Sequence, residues 1–234
     1  MAEFKGFDRN IFTLLEINKF NDSKAFYESV KEEIKQGAIV PMRQLASDLC
    51  DELYQVDDKM NLMPTKMVSR IRRDTRFSKN KDLYRANVWC MFMRDKHLWQ
   101  RQPCMWFEFY PDSYNYGIGT FRTDTVFLEA FREYLVEHQD EFRQALVSAS
   151  VANPFLEIEC FKKNKPGIER VGDDLKKFYN CKSFFFIYSS PEMDKLIDGS
   201  IKEELIYVIR AYAPLYKFLA NITDKIIAEG ADKK

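Results

Sequence analysis

The order of apolar and polar residues divides the chain into helical and extended stretches. Over residues 23–35, Phe26, Tyr27, Val30 and Ile34 recur at the spacing of one helix face. Asn21, Asp22 or Ser23 is placed to cap that helix, and Gly37 to stop it. Pro41 suits a first helical turn, after which Met42, Leu45, Ala46, Leu49 and Leu53 continue an apolar face over 42–54. From residue 86 the period changes to two. Ala86, Val88, Cys90 and Phe92 alternate with Asn87, Trp89, Met91 and Met93, and both sets are largely apolar. That pattern predicts an inner strand over 86–94, covered on both sides. Residues 104–110 form a second such run, and 114–121 a third that Gly117 and Gly119 interrupt. The turn Pro111-Asp112-Ser113 lies between them, and strands joined by short turns pair antiparallel.

Helical spacing returns over 124–137, where Val126, Phe127, Phe131, Tyr134 and Leu135 share a face, and Phe142 and Leu146 begin another. Residues 155–161 alternate, 173–179 suit a short helix, 183–188 form a strongly apolar strand, and Ser190-Pro191 opens a turn of helix. The last helix starts at Ile201, with Leu205, Val208, Ile209, Leu215 and Leu219 on its buried stripe. Ser200 and Glu203 predict a capping box, and Pro214 predicts a kink. No repeat or linker breaks the chain. Residues 1–234 therefore read as a single α+β domain, an antiparallel sheet of about five or six strands packed with helices, with a tail that frays over 229–234.

Composition narrows the class. Hydrophobic residues make up 46% of the 234, enough for a core, and the 20 Phe, 12 Tyr and 3 Trp exclude intrinsic disorder. The longest purely apolar run, 88–93, is far short of the roughly 20 residues that span a bilayer, so no membrane partner is expected. The first residues show no basic-then-apolar export signal, which points to a soluble protein of the cytoplasm. Five cysteines without C-x-x-C spacing suggest neither a disulfide framework nor a zinc site, and Cys90 and Cys160 read as small buried hydrophobes. His97 and His138 are far apart, so no metal is expected. Gly117-Ile118-Gly119 lacks the third glycine and the Lys-Ser/Thr of a phosphate loop. It reads as a bulge or a close backbone approach, and no cofactor is implied. No Ser or Cys has a His close in sequence to activate it.

One segment departs from the even charge of the chain, which carries 36 Lys+Arg against 36 Asp+Glu. Residues 69–81 hold Arg70, Arg72, Arg73, Arg76, Lys79 and Lys81 against the single acid Asp74. Like charges at that density repel unless something negative sits among them. As a site, Arg70, Arg73 and Arg76 would converge on an anion, each guanidinium offering a planar fork to phosphate or carboxylate, with Ser78 and Lys81 completing the pocket. As structure, Arg73 and Arg76 would pair with carboxylates such as Asp74, Glu108, Glu157 or Glu159. Catalysis on a small anionic substrate is the third reading, with Arg stabilising charge and Asp74 or Glu108 as acid or base. Nucleic acid is disfavoured by the neutral chain, although Phe77 and Tyr84 beside the basic residues would allow stacking. Trp89, Trp99, Trp106 and Phe184-Phe185-Phe186 read as core before they read as an aromatic pocket.

The same segment carries a family resemblance. Arg70, Ile71, Arg73, Asp74, Arg76, Phe77, Ser78, Lys79, Lys81, Tyr84 and Arg85 resemble the signature of a bacterial and fungal family of hypothetical proteins, domain of unknown function 2461. Asn21, Phe26-Tyr27, Gly117-x-Gly119, Leu175, Tyr179, 182–184 and 213–219 extend the resemblance along the chain. Phe26-Tyr27 stands where the family has Trp-Phe, and Phe121 is followed by Arg122-Thr123 where the family often has Pro. The resemblance implies a single-domain soluble protein and brings no activity, cofactor or partner.

Overall fold

The computed structural model describes residues 3–76, 78–152 and 155–230. Asp8 caps helix α1 (Arg9–Asn21), its carboxylate accepting from the Asn10 N–H at 2.8 Å. The helix closes on Asp22, whose φ of 43° puts a short polar residue in the left-handed region where Asn and Asp are best tolerated. Ser23 caps α2 (Lys24–Ile34). Gly37 does not stop this helix. A π-helical turn, Lys35–Ile39, carries the chain straight into α3 (Val40–Asp48), with Pro41 in the first turn. Gly37 instead lets α1 pack close, since a Cβ there would lie 3.0 Å from the end of the Ile11 side chain. Helices α4 (Cys50–Val56) and α5 (Pro64–Met67) complete the N-terminal part.

The sheet follows. Strands β1 (Val88–Phe92), β2 (Pro103–Phe109) and β3 (Tyr114–Thr120) form an antiparallel meander, joined after α6 (Thr125–Glu137) and α7 (Gln139–Ala152) by β4 (Leu156–Cys160) and, after α8 (Lys176–Tyr179), by β5 (Cys181–Ser190). The five strands lie in the order β1-β2-β3-β5-β4, every pair antiparallel. The short α9 (Asp194–Asp198) leads to α10 (Ile201–Ala228), whose Leu205, Val208, Ile209 and Leu219 are buried. The fold is α+β, as its alternation of periods implies. The expected capping box at α10 does not form. Ser200 is already in helical conformation, makes no side-chain cap, and its N–H donates to Asp198 Oδ1 at 2.8 Å.

The two faces of the sheet differ. Val88, Cys90, Phe92, Phe107, Ile118 and Phe184 point into one continuous core, where Phe131, Phe142 and Phe178 close on Phe184 at 5.3–6.1 Å between ring centres. On the other face Trp89, Met91, Trp106, Phe185 and Ile187 are only half-buried. The reading of β1 as an inner strand covered on both sides is therefore corrected. It is an edge strand, and its outer apolar side lines an open groove. Cys160, on the outermost strand, is exposed rather than buried. Cys90, Cys104 and Cys181 are buried, which raises their thiol pKa values and leaves them protonated near neutral pH.

Candidate site: an arginine cleft beside an open sheet face

The basic segment is held against the approach to β1 by backbone hydrogen bonds. Ser69 N–H donates to the Trp89 carbonyl at 2.8 Å, Arg85 N–H to Ile71 at 3.2 Å and Arg73 N–H to Leu83 at 2.8 Å. Asp22, at the end of α1, pins the returning arm. Its carboxylate accepts from the N–H groups of Leu83 at 2.7 Å and Tyr84 at 3.0 Å. Ile71 is buried, and Tyr84 is buried under Tyr27 with the rings stacked at 4.6 Å. Apolar anchors alternating with cations thus fix the backbone and leave the guanidiniums on the surface.

These cations line a cleft of about 950 Å³. Arg70, Arg72, Arg73 and Arg76 come from the basic segment, Arg43 from α3 and Arg85 from the start of the strand region. Cationic side chains outnumber carboxylates in the lining eight to two. Both carboxylates have partners. Asp74 takes a two-point grip from Arg76, at 3.0 Å from Nε and 2.7 Å from Nη2, and that bond with the Arg76 N–H holds its pKa down at about 2. Asp95 accepts from the His97 N–H at 3.0 Å. Arg73 stands 3.8 Å from Asp82 at the cleft's edge. Arg43, Arg70, Arg72 and Arg85 have no carboxylate within salt-bridge distance among the described residues, and the Nε groups of Arg43 and Arg85 are buried without an acceptor. Burial, and then the charge of Arg73, push the Arg85 guanidinium below its ordinary pKa.

The expected site residues divide. Arg70, Arg73, Arg76 and Asp74 line the cleft. Ser78 and Lys81 do not. The Ser78 N–H and the Lys81 ammonium both donate to the Thr75 carbonyl, at 3.3 and 3.0 Å, closing the arm's tip on itself. Phe77 lies outside the described residues. Glu108 is on the open sheet face, where it accepts from Asn87 at 3.0 Å, Tyr110 at 3.2 Å and Asn115 at 3.3 Å, with no cation within salt-bridge distance among the described residues. Glu157 and Glu159 pair with neither Arg73 nor Arg76; Lys182 holds Glu159 at 2.6 Å. Charge density along the chain does not single out Arg43 or Arg85. The signature marks Arg85, whereas nothing near Arg43 in the chain distinguishes it from a solvated helix residue.

Beside the cleft lies the groove of the open face, about 500 Å³, lined by Trp89, Met91, Cys104, Trp106, Phe185 and Ile187, with Glu108, Phe121 and Glu157 at its margins. Trp89 borders both spaces. The aromatic residues therefore split. Phe184 and Phe186 are core, whereas Trp89, Trp106 and Phe185 floor the groove. Gly117 and Gly119 are close backbone approaches. A Cβ at Gly117 would fall 2.5 Å from Trp106 Cζ2 and 2.3 Å from the Phe186 carbonyl oxygen.

Residues 10–218 match the model of a family described as conserved hypothetical protein, DUF2461. The chain belongs to this family. The match spans every cleft and groove residue named above and ends within α10. No curated protein matches the chain. What this DUF2461 member does must therefore be argued from its geometry. Among the described residues no group of three or more His, Cys, Asp or Glu is placed to share a metal ion, and no helix is long and apolar enough to cross a membrane.

Proposed function

We propose that this protein is a binding module whose arginine cleft holds a small anion through a phosphate or carboxylate group. The observation that carries the reading is the set of arginines without carboxylate partners, with the Nε groups of Arg43 and Arg85 buried and lacking acceptors. A guanidinium partly removed from water is costly unless an anion or acceptor meets it, and an oxyanion meets several at once. The test is a thermal-shift titration with inorganic phosphate, pyrophosphate and citrate. An anion at 100 times its dissociation constant stabilises the fold by about 2.7 kcal/mol. Arg85→Ala is expected to reduce that shift, and Arg9→Ala, an exposed arginine paired with Asp194, to leave it intact. An unchanged shift in Arg85→Ala, or none in the wild type with any of the three, sinks the reading.

A second reading, catalysis on the bound anion, is favoured by Glu108. Three neutral donors orient this carboxylate without neutralising it, which suits a general base. Turnover of a bound anion that disappears in Glu108→Gln while binding persists would carry this reading over simple binding.

A further inference from the structure

The groove and the cleft meet at Trp89, and the character of the lining changes across that residue. On one side are the unpaired arginines; on the other is an aromatic floor ending at Glu157. We infer that the two spaces are one site, and that it takes a small anion carrying a flat, N–H-bearing aromatic ring at one end, the chemistry of a nucleotide. This rests on the reading of the cleft as an anion site and specifies what the anion is attached to.

Three observations lead there. The first is the shape of the floor. Strand β3 contributes Gly117 and Gly119 to the open face, so a strip of the sheet carries no side chain, and the Trp106 ring lies down across Gly117. Phe185 meets that ring edge-on at 5.8 Å, and Phe121 lies 6.1 Å from Phe185. A ring laid flat on a sheet with its outer face open is a stacking platform, and stacking favours planar partners over alkyl chains. The second is the wall between floor and cleft. Glu108 is directly opposite Trp89 in the strand register, and the Arg85 guanidinium lies 6.0 Å over the Trp89 ring. A carboxylate with acceptor capacity left beside a stacking floor matches a ring that offers N–H donors. The third is the one-sided charge. Cations crowd the cleft, whereas Glu157 borders the far side of the groove and the chain as a whole is neutral. A polymer of phosphates would have to run its charge past that acid. A mononucleotide places charge only where the arginines are.

The test compares guanosine and adenosine 5′-monophosphate, the two nucleosides, inorganic phosphate and a ten-nucleotide single strand by equilibrium dialysis on the full chain. At least one monophosphate is expected to bind about tenfold or more tighter than phosphate, the scale of one base stacked on one aromatic side chain. Trp106→Ala is expected to erase that advantage and leave phosphate binding unchanged. Arg85→Ala is expected to weaken both. Phe121→Ala, at an exposed residue on the groove's margin, supplies a second variant if Trp106→Ala does not fold, and is expected to reduce the advantage in the same direction. Equal binding of phosphate and both monophosphates overturns the inference and leaves the anion cleft standing. Tighter binding of the single strand than of either mononucleotide overturns the one-ended occupant. Failure of every anion to bind removes the cleft itself.

Discussion

Two arginines flank β1, and their surroundings are opposite. Arg94, just past the end of the strand, is closed off. Its Nε donates to Asp57 at 2.6 Å and its Nη1 to Asp224 at 2.7 Å, and the Arg94 and Asp57 side chains are 7% and 6% exposed. Arg85, just before the strand, has a buried Nε with no acceptor and lines a cleft filled with other cations. Both guanidiniums lose water, yet only Arg94 has carboxylates within salt-bridge distance among the described residues. Burial works against the charge of Asp224, but hydrogen bonds from Arg94 and Lys59 outweigh it and hold the Asp224 pKa below 3.8, so this end is electrostatically complete. At the other end burial and then Arg73 push Arg85 down, opposed only by the more distant charges of Tyr110 and Glu108 and by no hydrogen-bonded carboxylate. A closed arginine fixes α4 and α10 to the sheet; an open one is left for a partner from outside the chain.

The contrast is broken or sharpened by three substitutions. The largest effect is expected at the closed end. Asp57→Ala leaves Arg94 buried beside a single carboxylate and should destabilise the protein by about 3–5 kcal/mol in chemical denaturation. A loss below about 1 kcal/mol would mean that Arg94 is no better satisfied than Arg85. Asp224→Asn removes the partly exposed partner and should cost about 1 kcal/mol or less near neutral pH, after discounting for solvent screening. The sign with pH follows from its lowered pKa. The contribution is complete above 3.8 and is lost as pH falls through the lower folded value, so wild type and variant should converge in acid. A gap that persists at pH 2 would assign the effect to packing. The smallest change is expected at the open end. Arg85→Ala should move the stability of the ligand-free protein by about 0.5 kcal/mol or less, because no ion pair is lost. A cost comparable with that of Asp57→Ala would make Arg85 a structural residue and empty the cleft of its main argument.

The same two ends show how far the chain can be read before it folds. The α+β class, the antiparallel strands and the buried stripe of α10 follow from periodicity alone, because burial on one side of an element writes itself into spacing. The density of cations over 69–81 likewise marks the arm. Arg43 is invisible because it joins the cleft only when α3 packs beside the arm. The open face is invisible for a different reason. Alternation records which residues share a side of a strand, not whether a helix covers that side, so Trp89 and Trp106 look the same as core aromatics. Gly37 illustrates the converse. In sequence it is a helix stop; in the fold it faces the Ile11 side chain of α1, and the helix passes through it. Ser78 and Lys81 belong to the same basic run as Arg73 and Arg76, yet the arm's tip curls them onto Thr75.

The arm has a topological consequence. Arg70, Arg72 and Arg73 stand on its outgoing limb and Arg85 on its return, and the limbs are joined side by side by the hydrogen bonds of Ile71 with Arg85 and of Arg73 with Leu83. Beyond those bonds the tip holds exposed Lys79 and Lys81. Cutting the chain there separates an N-terminal helical fragment from one bearing the whole sheet, and each keeps part of the cleft. The cleft is thus a seam between two complementary fragments. Nicked at the tip, the protein becomes a two-chain assembly held by its core and by the Asp22 clasp, and the arginines regain a common focus only when the fragments reassociate.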